Sequence, residues 1–233
     1  MKILKKYHEA SGQEINIEKS CYITHSSLNP RTTKRLKKWI GYKHSNFPFN
    51  YLGCPIYTGR KRIDIFTDLT TKVINKTGGW KTNLLSAGGK ALIIKHVVQS
   101  QTLHLFAALE PPITTLKQIE MYFCNFFWGQ KEDKNKYHWS NWKKLYYPTE
   151  EKGLGFKRLK DICKTFTMKR WWRLRTMDNL WSQFIKAKYC PRANMVSKVI
   201  SPNNSNIWRS LLKIRPQAEH NIQWEINKGN TLF

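Results

Sequence analysis

The stretch Ile63-Asp64-Ile65-Phe66-Thr67-Asp68-Leu69-Thr70-Thr71-Lys72-Val73-Ile74, running on to Gly78-Gly79, decides the fold. Ile63, Phe66, Leu69, Val73 and Ile74 recur at helical spacing until the two glycines end the run. Upstream the period is different. Phe47 to Tyr57 contains Pro48, Gly53 and Pro55, which reads as a bent strand or edge ribbon. Glu14 to Ile17 and Cys21 to Thr24 read as short extended pieces. Ile3, Leu4, Tyr7 and Ala10 mark a helix that stops at Ser11-Gly12, and Asn29 to Leu36 opens a basic helix with Leu36, Trp39 and Ile40 on one face. Downstream, one helical pattern follows another. Ser86 is an N-cap for a helix that runs to Pro111-Pro112. Thr114 or Thr115 caps the next, with Leu116, Ile119, Phe123, Phe126 and Phe127 as its apolar face and Gly129 as its stop. The turn Gly153-Leu154-Gly155-Phe156 precedes a long pattern from Leu159 to Tyr189 that breaks at Asp178-Asn179, and Ile207 to Ile214 supplies a last short helix. The predicted class is α+β, mainly α: small β elements first, a helical body after.

Charge sets the class of partner. Lys and Arg number 41 against 15 Asp and Glu in 233 residues, a formal net charge of +26. With 40% hydrophobic residues and 10 Trp, the chain is too apolar for a disordered basic tail and has the length of one large domain or two small ones. Self-repulsion on this scale calls for a polyanion, and RNA or an RNA–DNA hybrid is the expected partner. A membrane is not expected. The richest apolar window, Ala91 to Leu109, is interrupted by Lys95, His96, Gln99 and His104, and a span needs about 18 apolar residues. Met1 to Lys6 lacks the apolar region of a signal peptide. Cys21, Cys54, Cys124, Cys163 and Cys190 lie far apart without metal-ligand spacing, which reads as reduced thiols in an intracellular protein, nuclear or cytoplasmic, with no zinc site.

Catalytic chemistry is not legible. Asp64, Asp68, Asp133, Asp161 and Asp178 include no adjacent pair, and Asp64 and Asp68 beside Lys72 read as a solvated helix face. Glu132-Asp133 and Glu150-Glu151 balance nearby lysines. Gly88-Gly89-Lys90 lacks the rest of a phosphate loop, and no nucleophile elbow occurs. Cations interleaved with aromatics are the better signal. They occur at Lys34-Arg35-x-x-Lys38-Trp39, Arg60-Lys61-Arg62, Trp80-Lys81, His138-Trp139-x-x-Trp142-Lys143-Lys144 and Lys169-Arg170-Trp171-Trp172-Arg173. Cations neutralise phosphates and aromatic planes stack on unpaired bases. The cations read as ligand contacts and most tryptophans as core.

Ordered strings along the chain resemble a known family. Ser11-Gly12-Gln13-x-Ile15-Asn16-x-x-Lys19-Ser20 resembles the segment after the catalytic aspartates in reverse transcriptases of non-LTR (LINE-type) retrotransposons. Phe49-Asn50-Tyr51-Leu52-Gly53 is similar to that family's primer-grip hairpin. Trp80-x-x-x-Leu84-Leu85-Ser86-x-x-Gly89-Lys90-x-x-Ile93-Ile94-Lys95-x-Val97 is similar to its helical thumb. Phe127-Trp128-Gly129, His138-Trp139-x-x-Trp142, Lys152-Gly153-Leu154-Gly155-Phe156, Lys169-x-Trp171-Trp172-Arg173 and Lys186-Ala187-Lys188-Tyr189 resemble the connecting region of plant members. Trp224-x-x-x-x-Gly229-Asn230 resembles the entry to a zinc-binding region, beyond which plant members often carry a ribonuclease H domain.

The resemblance implies a palm end with primer grip over residues 1–57, thumb-like helices over 58–130 and a connection over 131–233. It implies that the catalytic Asp-Asp pair lies upstream of Met1. This chain would then be a catalytically incomplete fragment that keeps non-specific RNA and DNA binding. It would hold no cofactor, Mg2+ belonging only to a complete polymerase. Tyr51, Leu52 and Gly53 would place a primer terminus, and Lys90 and Lys95 would meet consecutive phosphates. Arg60, Lys61, Arg62, Lys169, Arg170 and Arg173 complete the nucleic-acid contacts read from the basic clusters. Two other readings stay open: a piece that works with a palm supplied by the rest of the retrotransposon polyprotein, and a helical protein-interaction module. Residues 1 to about 50 are expected to pack poorly without palm strands, and the part from Ile63 on to pack better.

Overall fold

In the computed structural model, which describes residues 2–25, 27–78, 85–131, 134–135 and 137–223, helices follow the apolar periods of the sequence. The chain divides into two compact units, Met1–Gly59 and Arg60–Phe233.

The first unit has little interior. Helix α1 (Lys2–Ser11) leaves Ile3 82% exposed, and α2 (Pro30–Ile40) buries none of its residues. Asn29 caps α2 by accepting from the Arg31 amide at 2.9 Å, and Gly41 closes it in the left-handed region. The expected apolar face of α2 forms without a partner: Leu36 and Ile40 are half-buried, while Trp39 is exposed under the Arg35 guanidinium. Strands β1 (Cys21–Ile23) and β2 (Lys43–Ser45) pair in parallel. The expected extended piece from Glu14 to Ile17 forms no strand. Strands β3 (Phe49–Tyr51) and β4 (Cys54–Ile56) make an antiparallel hairpin in which Tyr51 faces Cys54 across the turn Leu52-Gly53. Both turn residues have positive φ, 49° and 78°, so the hairpin needs the mirror-image turn that matches strand twist. Glycine adopts that geometry freely; for Leu52 it carries a steric cost.

The helical unit begins with a 3₁₀ turn, Asp64–Phe66, followed by α3 (Thr67–Gly78). That tighter turn corrects the first residue of the sequence pattern. Ile63 is exposed, and Ile65 joins Phe66, Leu69 and Val73 inside. Helix α4 (Ala87–Leu92) starts at Ser86, whose hydroxyl accepts from the Gly89 amide at 3.2 Å. It passes through a π-helical turn, Ile93–Val98, into α5 (Gln99–Ala108). Helix α6 (Ile113–Trp128) buries all five residues of the expected face. Its start differs from expectation. Pro112 precedes it without a side-chain cap, and Thr115 is fully buried instead of capping. Two short paired strands follow, β5 (Gln130–Lys131) and β6 (Lys134–Asn135).

Helix α7 (Leu159–Thr176) ends before Asp178-Asn179, and Asn179 caps α8 (Leu180–Tyr189) by accepting from the Ser182 amide. The last helix, α9 (Asn206–His220), is capped by Ser205 and extends beyond the expected Ile214. Helix α3 packs on α6, and α7 packs on α9. Trp171, Leu174, Trp208, Leu211 and Leu212 form the core under α7 and α9, with Tyr189 stacked on Trp208 at 4.8 Å. Glu219 joins this packing by accepting from Trp171 Nε1 at 2.7 Å and from Arg175 at 3.1 Å. Among the described residues, no helix is long and apolar enough to cross a membrane.

Candidate nucleic-acid interface

The residues read from the sequence as nucleic-acid contacts take three kinds of position. Tyr51, Leu52 and Gly53 form the exposed tip of the β3–β4 hairpin in the first unit, with Leu52 81% exposed. Arg60, Lys169 and Arg173 are exposed in the helical unit, and Lys90 and Lys95 are half-buried on one continuous helical path. Arg62 is exposed and pairs with Asp64 at 3.0 Å. Trp80, Lys81 and Leu84 of the thumb-like string lie outside the described residues, as do Glu132, Asp133, Trp224, Gly229 and Asn230.

Lys61 and Arg170 are turned inward around one carboxylate. Glu110 accepts from Lys61 Nζ at 2.8 Å and from Ser210 Oγ at 2.6 Å. Burial pushes its pKa up, but the bonds from Lys61 and Ser210 and the charges of Lys61 and Arg170 prevail and hold it below its ordinary value. Arg170 also donates to the carbonyl of Phe166 at 3.4 Å and to Thr167 Oγ1 at 3.3 Å. Cys163 lies in the same field, its thiol pushed up to about 12 by burial and by Glu110, which keeps it protonated. The network ties the segment before α3, the end of α5, α7 and α9 together. Arg170 and Arg173 further line a small cavity of about 260 Å³ with Trp181.

A larger basic cleft of about 970 Å³ opens along the π turn, α5 and the segment 143–166. Four cations line it, Lys95, Lys143, Lys157 and Arg158, against one carboxylate, Asp161. The ion pairs among the described residues, Lys61–Glu110, Arg62–Asp64 and Arg175–Glu219, involve none of these four. Aromatic rings complete the lining: Tyr146, Tyr147, Phe156 and Phe166. The Arg158 guanidinium lies over the Tyr146 ring at 5.1 Å. The Tyr146 phenol is raised well above its usual range by burial and by the Glu120 charge, despite a hydrogen bond from Trp142 Nε1 at 2.9 Å. Glu120 also accepts from the Leu159 amide at 3.1 Å, which fixes the first turn of α7 against α6. Lys90 does not line this cleft, so the two thumb-like lysines are not brought into one site there.

The connecting-region strings converge on the wall of the cleft. Phe127, Trp142 and Phe156 meet with ring centroids 5.3 to 6.1 Å apart. The loop between Trp142 and Phe156 closes on itself through Leu154 and Phe156 amides that both donate to the Leu145 carbonyl at 3.1 Å. Gly153 makes the closure possible, because a Cβ there would lie 1.9 Å from the Tyr147 carbonyl oxygen. Lys157-Arg158 emerges from this closed loop straight into the cleft. That pair stands in none of the basic–aromatic strings read as ligand contacts; the signal available was its place directly after a Gly-Leu-Gly-Phe turn and at the start of a helix. Of the tryptophans read as core, Trp171 and Trp208 are, whereas Trp39, Trp139 and Trp172 are exposed. Among the described residues, no group of three His, Cys, Asp or Glu is placed to hold a metal ion.

The chain is 27% identical to a putative ribonuclease H protein of Arabidopsis thaliana over 182 residues, which is 76% of this chain and 29% of that protein. It is 26% identical over 115 residues to an uncharacterized mitochondrial protein of the same plant, covering 48% of this chain and 75% of the other. It is also 25% identical over 169 residues to a Xenopus laevis protein described as the transposon TX1 uncharacterized 149 kDa protein, covering 70% of this chain and 12% of that one. No protein-family model matches the chain. The chain therefore spans less than a third of the first relative's length, and its similarities run at low identity to proteins named for ribonuclease H and for a transposon.

Proposed function

We propose that the chain is a reverse-transcriptase-derived part of a retroelement protein that binds RNA and DNA without sequence preference and has no polymerase chemistry of its own. The observation that carries the reading is the cleft with four cations against one carboxylate, in a chain with a net charge of +26. Such a surface takes phosphates. Relatives named for a transposon and for ribonuclease H, elements and enzymes that handle nucleic acid, agree with it. In this reading the hairpin tip Tyr51-Leu52-Gly53 serves as primer grip and the helices from α3 to α6 as a thumb. The exposed cations Arg60, Lys169 and Arg173 meet backbone phosphates. The test is fluorescence anisotropy with a labelled RNA–DNA hybrid and with labelled single strands across a salt series. Binding at low salt that falls steeply with log salt is expected, and absence of binding at low salt sinks the proposal.

A second reading is favoured by the first unit, whose described residues bury only Pro55. A unit with so little core gains stability from a further domain, as a palm in the same polyprotein supplies. Adding the chain to a separately produced palm domain should raise primer extension; no gain would end this reading.

A further inference from the structure

Resting on the nucleic-acid reading above, we propose that the cleft along α5 and the 143–166 segment is a single-strand subsite. It holds unpaired nucleotides, with a base on Tyr147 and phosphates on Lys95, Lys157 and Arg158, and it does not admit paired ones. A volume of about 970 Å³ is that of a pocket for a small ligand or a short strand. Tyr147 lines the cleft and is 53% exposed, whereas Tyr146 and Phe156 beside it are held in the packing. A ring of this kind stacks on any base whose face is free. Bases in a duplex have both faces covered, so a duplex offers this ring no face to stack on.

The cations are arranged for a strand passing the ring. Lys157 and Arg158 are neighbours at the start of α7, and Lys95 reaches in from the π turn beside the bare Gly155, its Nζ 3.6 Å from where a Cβ would stand. The Arg158 guanidinium lies over the Tyr146 ring, and its planar fork of donors suits a phosphate or a base edge. Asp161 disfavours a phosphate next to it but accepts from the ring N–H and amino groups that unpaired bases expose. An acidic peptide would meet the cations but leave the ring and this carboxylate unused.

The test uses the full chain and three labelled probes: oligouridine, oligodeoxyuridine and a hairpin duplex with the same number of phosphates. The paired change Lys157→Gln with Arg158→Gln should weaken single-strand binding about tenfold or more and lower the log–log salt slope by about 1.4, roughly 0.7 for each lost phosphate, with duplex binding changed less than about twofold. Tyr147→Ala should weaken single-strand binding several-fold with the salt slope unchanged, which loss of surface charge does not do. Lys95→Gln with Lys143→Gln replaces the first pair if circular dichroism shows that pair unfolded. Similar losses for the two single strands place recognition in base and phosphate; a larger loss for oligouridine places part of it on the 2′-hydroxyl. Equal weakening of duplex and single strand overturns the proposal, as does polyglutamate that displaces oligouridine as well as unlabelled oligouridine does. Wild-type binding to duplex alone overturns the subsite and leaves the broader reading standing. Wild-type binding to no probe at low salt removes both.

Discussion

Glu110 shows how a cation expected to meet a ligand becomes a fold contact. Its carboxylate accepts from Lys61 and Ser210 and faces Arg170, and with about a third of its side chain in water the bonds are worth less than in a dry interior. Its pKa is depressed in the folded chain, so its contribution is fully present above the ordinary carboxylate value. It is lost as pH falls through the lower folded value. Glu110→Gln should lower stability at neutral pH by about 1–2 kcal/mol and flatten the acid limb, read as urea midpoints against pH. Parallel acid limbs for the two proteins would refute the assignment. Gly153 is the other residue with a sharp expectation. Gly153→Ala drives a carbon into the Tyr147 carbonyl and should cost about 2–4 kcal/mol, seen as a lower melting temperature. An unchanged melting temperature would mean that the loop closes differently.

At the scale of elements, helices were legible wherever a period and a local signal agreed. The face of α6, the Ser86 cap, the break at Asp178-Asn179 and the Gly129 stop all follow from neighbouring residues. Features made by distant residues were not legible. Lys61 meets Glu110 across 49 positions and Ser210 meets it across 100, and no local pattern announces either pair. The cleft joins Lys95 to Lys157 across a similar gap, and of the two only Lys95 stands in a string that reads as a ligand contact. The double glycine in α4 carries a prediction of its own. A Cβ at Gly88 finds only Ser86 Oγ, at 3.9 Å, so Gly88→Ala should stabilise the helix by about 0.5–1 kcal/mol. A loss of stability in chemical denaturation would show that this glycine is needed for something other than helix geometry.

Across the whole molecule, stability is expected to be uneven. The described residues of the first unit bury Pro55 alone, whereas the helical unit encloses Trp171, Trp208, Phe66, Phe106 and Phe123. Amide exchange should therefore be fast throughout Met1–Gly59 and slowest in α6, α7 and α9, because protection follows buried apolar contact. Equal protection in both units would contradict that. The closed loop around Gly153 also bears on the history of the gene. Every change at the first or second base of a glycine codon puts a side chain, or a stop, where the Tyr147 carbonyl leaves no room. A copy drifting without selection soon loses that codon, while a copy still needed as protein keeps it. If the chain is the retroelement part proposed above, position 153, compared among its copies in one genome, records whether the protein is still in use.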